Sequence, residues 1–216
     1  MTTFPGSPRV LKGGLVLVDP DSGAVRTVIA LQYNPETVSR TLQIQAFGES
    51  AERSEALRLK GPPVETFKLD AEIDAVDQLE NGDPIAGEHG IQPQLATLET
   101  IVYPESGTLQ ANDALASAGT LEIAPMEAPL TLLVWSRGRI VPVRLTDFSI
   151  TEEAFDAALN PIRAKVSLGL RVLSVADLGF ATRGGSLFLA YQQEKERLAG
   201  LAAGGTLSSL GITGIG

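Results

Sequence analysis

The sequence predicts a mainly β protein of the α+β class: an antiparallel β-barrel or sandwich with one or two flanking helices and a C-terminal helix plus tail. Three observations predict it. In Thr66 to Ala75 (TFKLDAEIDA), Phe67, Leu69, Ala71, Ile73 and Ala75 fall on one side of an extended chain, and Lys68, Asp70, Glu72 and Asp74 on the other, because successive strand side chains point to opposite faces. Further on, Ile162, Ala164, Val166, Leu168, Leu170 and Val172 alternate in the same way with Arg163, Lys165, Ser167, Gly169 and Arg171. Two further pairs of β-prone segments enclose compact turns. Strands with one dry and one wet face belong to antiparallel sheets covered on one side, so a second apolar layer must lie opposite them.

The elements follow in chain order. Arg9 to Val18 and Ala24 to Tyr33 flank Asp19-Pro20-Asp21-Ser22-Gly23 and read as a hairpin, since Pro and Gly supply turn dihedrals. Asn34-Pro35-Glu36-Thr37 predicts a turn in which the asparagine bonds its own backbone, and Ser39 to Ala46 a strand. Gly48 to Lys60 mixes both charge signs with small residues and reads as a partly ordered loop. Gly61-Pro62-Pro63 stops any helix and launches the Thr66–Ala75 strand. After an Asn81-Gly82-Asp83-Pro84 turn, Gln92 to Val102 places Leu95, Leu98, Ile101 and Val102 at helical spacing, with Pro93 in the first turn. Pro104 to Pro129 has little periodicity and predicts a long exposed loop. Leu130 to Trp135 and Arg139 to Ile150 enclose Ser136-Arg137-Gly138, the clearest hairpin; Pro142 lacks an N–H and is expected at an edge or a bulge. Gly184 to Ala199 predicts a helix capped by Ser186, with Leu187, Ala190, Tyr191, Glu194 and Leu198 along one side. Gly200 to Gly216 is too rich in Gly and Ser to fold alone. The expected organisation is a β domain over residues 1–180 and a C-terminal helix and docking tail over residues 181–216.

At 216 residues and 44% hydrophobic, the chain can bury a sizeable core. Its net charge of -9 argues against a nucleic-acid partner, which needs a dense basic patch. The acids concentrate between Glu65 and Glu88, where Glu65, Asp70, Glu72, Asp74, Asp77, Glu80, Asp83 and Glu88 face the single base Lys68. Without cysteine, no disulfide or thiolate metal site can form. The N-terminal MTTFPGSPRVLKGG has no long apolar run, so neither a signal peptide nor direct membrane insertion is expected, and synthesis is expected in the cytoplasm.

Little points to catalysis. His89 is the only histidine, so zinc sites and Ser-His or Cys-His pairs are missing or incomplete. Asp70, Glu72 and Asp74 could be drawn as a glycosidase pair or a cation site, but regular spacing along a strand is typical of a solvated or interface face. Gly211 to Gly216 lacks the strand and helix that flank a phosphate-binding loop. No catalytic residue, cofactor or metal is therefore expected. Arg163, Lys165 and Arg171 form a basic wet face that complements the three acids, within one subunit or between neighbours. Together with Leu207, Leu210 and Ile212 of the tail, these six charged residues are the subunit-interface candidates. Two other function classes stay open: a carbohydrate-binding β-sandwich and an acidic-site hydrolase. The first would present clustered exposed aromatics, whereas this chain is 5% aromatic with one tryptophan, Trp135, which reads as packing.

Several motifs occur in a telling order: Gln32-Tyr33-Asn34-Pro35-Glu36-Thr37, Ser39-Arg40-Thr41-Leu42, Gly61-Pro62-Pro63, then Phe67 to Ala75, Phe148 to Phe155, Asn160 to Val166 and Leu168-Gly169-Leu170. Together they resemble the tube-type N-terminal domain of contractile injection system proteins from phage-tail-like particles, over most of residues 9 to 175. The resemblance implies a fold related to tail tube proteins and a homohexameric ring at the inner tube or baseplate end of the particle. It also implies neighbouring tube, baseplate and spike proteins as partners, and no catalysis. Many relatives continue into a LysM module, whereas here Leu187 to Ala199 leads into a short Gly-rich tail, which is expected to dock on a neighbouring ring or the spike in its place.

Overall fold

The computed structural model describes residues 11–46, 58–119, 128–202 and 204–215. Seven strands form one antiparallel sheet: β1 (Gly14–Val18), β2 (Val25–Ala30), β3 (Val38–Gln43), β4 (Val64–Asp74), β5 (Leu130–Ser136), β6 (Arg139–Phe155) and β7 (Pro161–Val172). Their spatial order is β2-β1-β5-β6-β7-β4-β3. Both predicted hairpins form, β1 with β2 and β5 with β6, and the two long alternating strands β4 and β7 are direct neighbours. Most of the Gly48–Lys60 segment, and the start of the first predicted strand, lie outside the described residues.

The sheet is not closed into a barrel. Strands β2 and β3 are its two edges, and no ladder joins them. The two-layer expectation holds in another form. The 17-residue β6 carries register shifts between Leu145 and Asp147 and between Glu152 and Ala154, and bulges of this kind bend a strand. Leu15, Leu17, Leu133 and Val141 from one half of the sheet then share a single core with Phe67, Leu69, Val166 and Leu168 from the other.

Helices seal this core. The predicted amphipathic segment forms α3 (Gln92–Glu99), following α1 (Val76–Glu80) and α2 (Pro84–His89). Ile91, Leu95, Leu98 and Ile101 are buried, while Val102 is exposed. The expected Asn81–Pro84 turn is a junction between two helices, because the Asp83 carboxylate caps α2 by accepting from the Ile85 and Ala86 N–H groups. Gly90 ends α2 at φ +59°, and a Cβ there would lie 2.1 Å from the Pro161 carbonyl oxygen. That oxygen accepts the Ile91 N–H at 2.8 Å, so only glycine lets the helical segment approach β7 this closely.

Four expectations are corrected. Within Pro104–Pro129, expected as a loop, residues Ser106–Ser117 form α4, none of whose residues is buried; the helix propensity of its Ala, Leu and Gln residues prevails where no apolar stripe advertises a helix. Pro142 sits in an interior strand opposite Leu132, not at an edge or a bulge. Its carbonyl accepts from Leu173 N–H just past the end of β7, so its ring nitrogen faces a position where the ladder has already stopped. The C-terminal helix, here α6 (Arg183–Leu201) after the single-turn α5 (Val175–Leu178), is capped by Thr182, whose side chain accepts from Gly185 N–H; Ser186 lies inside the helix. Its buried face is Gly184, Phe188 and Tyr191, while Ala190 and Leu198 face solvent. After α6 the chain makes one 3₁₀ turn, Leu207–Leu210. Among the described residues no helix is long and apolar enough to cross a membrane.

Candidate assembly surface

The wet faces of β4 and β7 merge into one polar surface because the strands pair in a register that sets Asp70 opposite Ser167, Glu72 opposite Lys165 and Asp74 opposite Arg163. Arg163 donates to Asp74 Oδ2 through Nε at 2.7 Å, with Nη2 at 2.6 Å. Ser167 donates to Asp70, and Lys165 reaches Glu153 of β6 at 2.8 Å. Arg171 lies opposite Thr66 and bonds Asp177 of α5 at 2.7 Å. Glu72 and Asp74 thus fall in register with Lys165 and Arg163 within one chain, and Arg171 serves a helix cap instead. Leu207, Leu210 and Ile212 lie far along the chain, exposed on the tail.

The electrostatics follow from these contacts. Burial pushes the Asp74 carboxyl up, but the Val76 N–H and the Arg163 guanidinium more than offset it, so its pKa lies below the usual 3.8. Asp177 is lowered in the same way: burial raises it, and the Ser174 N–H and Arg171 outweigh burial. Both groups bind a proton more weakly folded than unfolded. Their stabilisation is therefore complete above the unfolded value near 3.8 and is lost as pH falls through the lower folded values. Urea midpoints measured from pH 7 downward are expected to hold until about pH 5 and then fall, and Asp177→Asn should flatten part of that fall.

A second cluster was missed from sequence. Glu65 is 3% exposed, yet accepts from Tyr191 Oη at 2.8 Å and Lys195 Nζ at 2.8 Å, with Arg40 Nε of β3 at 3.7 Å. Lys195 also lies 3.9 Å from the centre of the Tyr191 ring. Desolvation and the bond to Glu65 push the Tyr191 hydroxyl up to about 12. A buried carboxylate is tolerated only when paired and hydrogen-bonded, and this one ties α6 to β4 and β3. The signal was available: Glu65 has the same parity as Phe67 and so belongs to the dry face.

The Gln32–Thr37 corner also has a structural task. Gln32 Nε2 donates to the Asp74 carbonyl at 2.7 Å while Asp74 N–H donates to Gln32 Oε1 at 2.9 Å. Asn34 does not bond its own backbone as expected; it accepts from Gly13 N–H and donates to the Leu11 carbonyl, both at 2.8 Å. Two side-chain amides thereby pin the end of the first hairpin to β4 and to the start of β1.

With this geometry in view, the chain can be set beside known proteins. No protein-family model and no curated protein matches it. Among solved structures, a chain from the tail of an empty gene transfer agent particle with C6 symmetry aligns over 74% of this chain and 90% of its own, at 12% identity and a TM-score of 0.30. A chain from the virion of the native gene transfer agent particle aligns over 73% and 90%, at 12% identity and a TM-score of 0.26. Likeness at that level carries no weight in the functional reading below, which rests on the chain itself.

The remaining candidates for chemistry do not converge. His89 ends α2, half exposed, 3.8 Å from the exposed Glu88. Among the described residues no group of three or more His, Cys, Asp or Glu side chains is placed to hold a metal. Trp135 packs against the core over Gly13, where a Cβ would meet its ring at 2.7 Å, so it is not an exposed platform for a sugar.

Proposed function

We propose that this chain is a non-enzymatic structural subunit of a contractile injection system, forming a ring at the junction of inner tube and baseplate and linking the tube to baseplate or spike. The observation that carries this reading is the open sheet. Its edge strands expose apolar side chains, Val25 at 61% and Val28 at 64% on β2, and Leu42 at 44% on β3, and an uncovered edge of this kind invites pairing with another chain. Contact of β2 in one copy with β3 in the next joins two unlike edges and is therefore heterologous, and heterologous contacts that close make rings. The order of tube-type motifs along the chain points the same way. So does the polar face of β4 and β7, whose Asp74–Arg163 and Lys165–Glu153 charges are matched within the chain and which suits a water-filled channel. The subunit is made in the cytoplasm and leaves the cell, if at all, inside the particle.

Light scattering on the purified chain at rising concentration tests the ring. A closed species of six times the 22.7 kDa chain mass is expected. A strict monomer at every concentration counts against it.

A further inference from the structure

A cavity of about 320 Å³ opens between β2 and the C-terminal half of β4, with Ile29, Ala71, Ile73, Leu98 and Leu168 among its walls. It exists because the sheet stays open there: β3 covers β4 only as far as Leu69, and β2 has a neighbour on one side only. The gap is bridged at one point, where the Gln32 side-chain amide makes two bonds to the Asp74 backbone. That is the rung a peptide group of an additional strand would make. Further backbone groups point into the gap beside it. Ala75 N–H turns toward β7, where it meets the Ile162 carbonyl, so the Gln32-bonded Asp74 faces the gap and Glu72, two residues earlier, faces it with its backbone beyond that bridge; Leu31 N–H turns toward β1 at Gly13, so Ala30 and Val28 turn outward from the other side. Gln78 also lines the cavity, and its buried Oε1 has no hydrogen-bond partner among the described residues. Strand edges on two sides, an unpaired amide oxygen and an apolar wall together fit an extended polypeptide.

We infer that this slot receives the C-terminal tail of a second copy of the chain, entering as an added strand. The inference rests on the reading of the protein as a subunit of a repeating assembly. Residues 202–216 carry no charged side chain, so the tail can meet the slot's apolar wall without desolvating a charged side chain of its own, and its hydroxyl and peptide groups can pair with the polar Lys12, Glu72, Gln78 and Gln94 that also line the slot. Leu207, Leu210, Ile212 and Ile215 are 40 to 83% exposed, so the tail has apolar surface to bury. Its serines, threonines and glycines are small enough for close backbone approach. The fifteen residues from Leu201 to Ile215 span up to about 50–54 Å when extended, more than the ~30 Å diameter of a small domain. In a single copy the tail lies outside the slot, leaving a strand-accepting gap and an uncommitted apolar segment in the same molecule. Neighbouring copies match them.

The chain has no cysteine, so introduced thiols report cleanly. Full-length Gln78→Cys and Ile212→Cys variants are mixed, allowed to assemble and treated with a short bismaleimide. A cross-linked dimer is expected only in the mixture, and an excess of synthetic peptide spanning Thr206 to Gly216 should reduce it at least tenfold. Absence of the mixed dimer overturns the inference, as does a cross-link that, in a third variant carrying both Gln78→Cys and Ile212→Cys, forms only within single chains. Light scattering on the same samples separates the two readings: closed rings without mixed dimers leave the ring standing and remove the tail contact, whereas mixed dimers in unclosed chains do the reverse.

Discussion

Replacing Phe67 with alanine is expected to lower the unfolding free energy by about 3–5 kcal/mol, the usual cost of deleting a buried aromatic side chain and leaving a cavity. Phe67 is fully buried at the centre of β4. Its neighbours in register are Arg40 on β3 and Leu170 on β7, and it belongs to the core shared by both halves of the sheet. A loss of that size is a large fraction of the about 5–15 kcal/mol that holds an ordinary domain folded. The matched control is Phe155→Ala, where the ring is 48% exposed and the expected change is within about 0.5 kcal/mol. Urea unfolding of both variants makes the comparison, and equal midpoints would place Phe67 outside the core.

Reversing Asp70, Glu72 and Asp74 together to lysine is expected to lower the melting temperature, since Glu72 and Asp74 face Lys165 and Arg163 in register and like charges set opposite one another destabilise where opposite charges had been favourable. From sequence alone the same variant is expected to stop assembly while leaving the fold largely intact. The register changes that expectation: the new lysines would confront Lys165 and Arg163 in the same chain, and Asp74 would lose its Arg163 bonds. Adding Arg163→Glu and Lys165→Glu to the triple variant should recover most of the thermal stability. If the triple variant melts like the parent and only fails to assemble, the acids serve a neighbouring subunit instead.

What could be read ahead was whatever left a periodic trace. The alternation in Phe67 to Ile73 and in Ile162 to Val172 located both long alternating strands, β4 and β7, their faces and their mutual charge pattern, because burial on one side imposes a period of two. Leu95, Leu98 and Ile101 located α3 in the same way. Helix α4 left no such trace, since it buries no residue and so had no apolar stripe. Thr182 and Ser186 are equally good capping residues by chemistry; which one caps depends on where the chain enters the helix from α5. The Gln32–Asp74 and Tyr191–Glu65 bonds join residues 42 and 126 positions apart, and contacts at such separation belong to the topology, not to any local window. Open against closed was likewise undecidable locally, because it depends on whether β2 and β3 meet across the whole sheet.

The central claim is that the chain is a ring subunit of a phage-tail-like particle, and the most direct measurement is a reconstruction of sheathed, tail-like particles isolated from cells that make it. The predicted result is six copies of this chain in one ring at the tube–baseplate junction, with Asp70, Glu72, Arg163 and Lys165 facing the channel and each tail seated between β2 and β4 of a neighbour. Particles that are complete without the chain, or protein that is found only outside particles, would contradict the account.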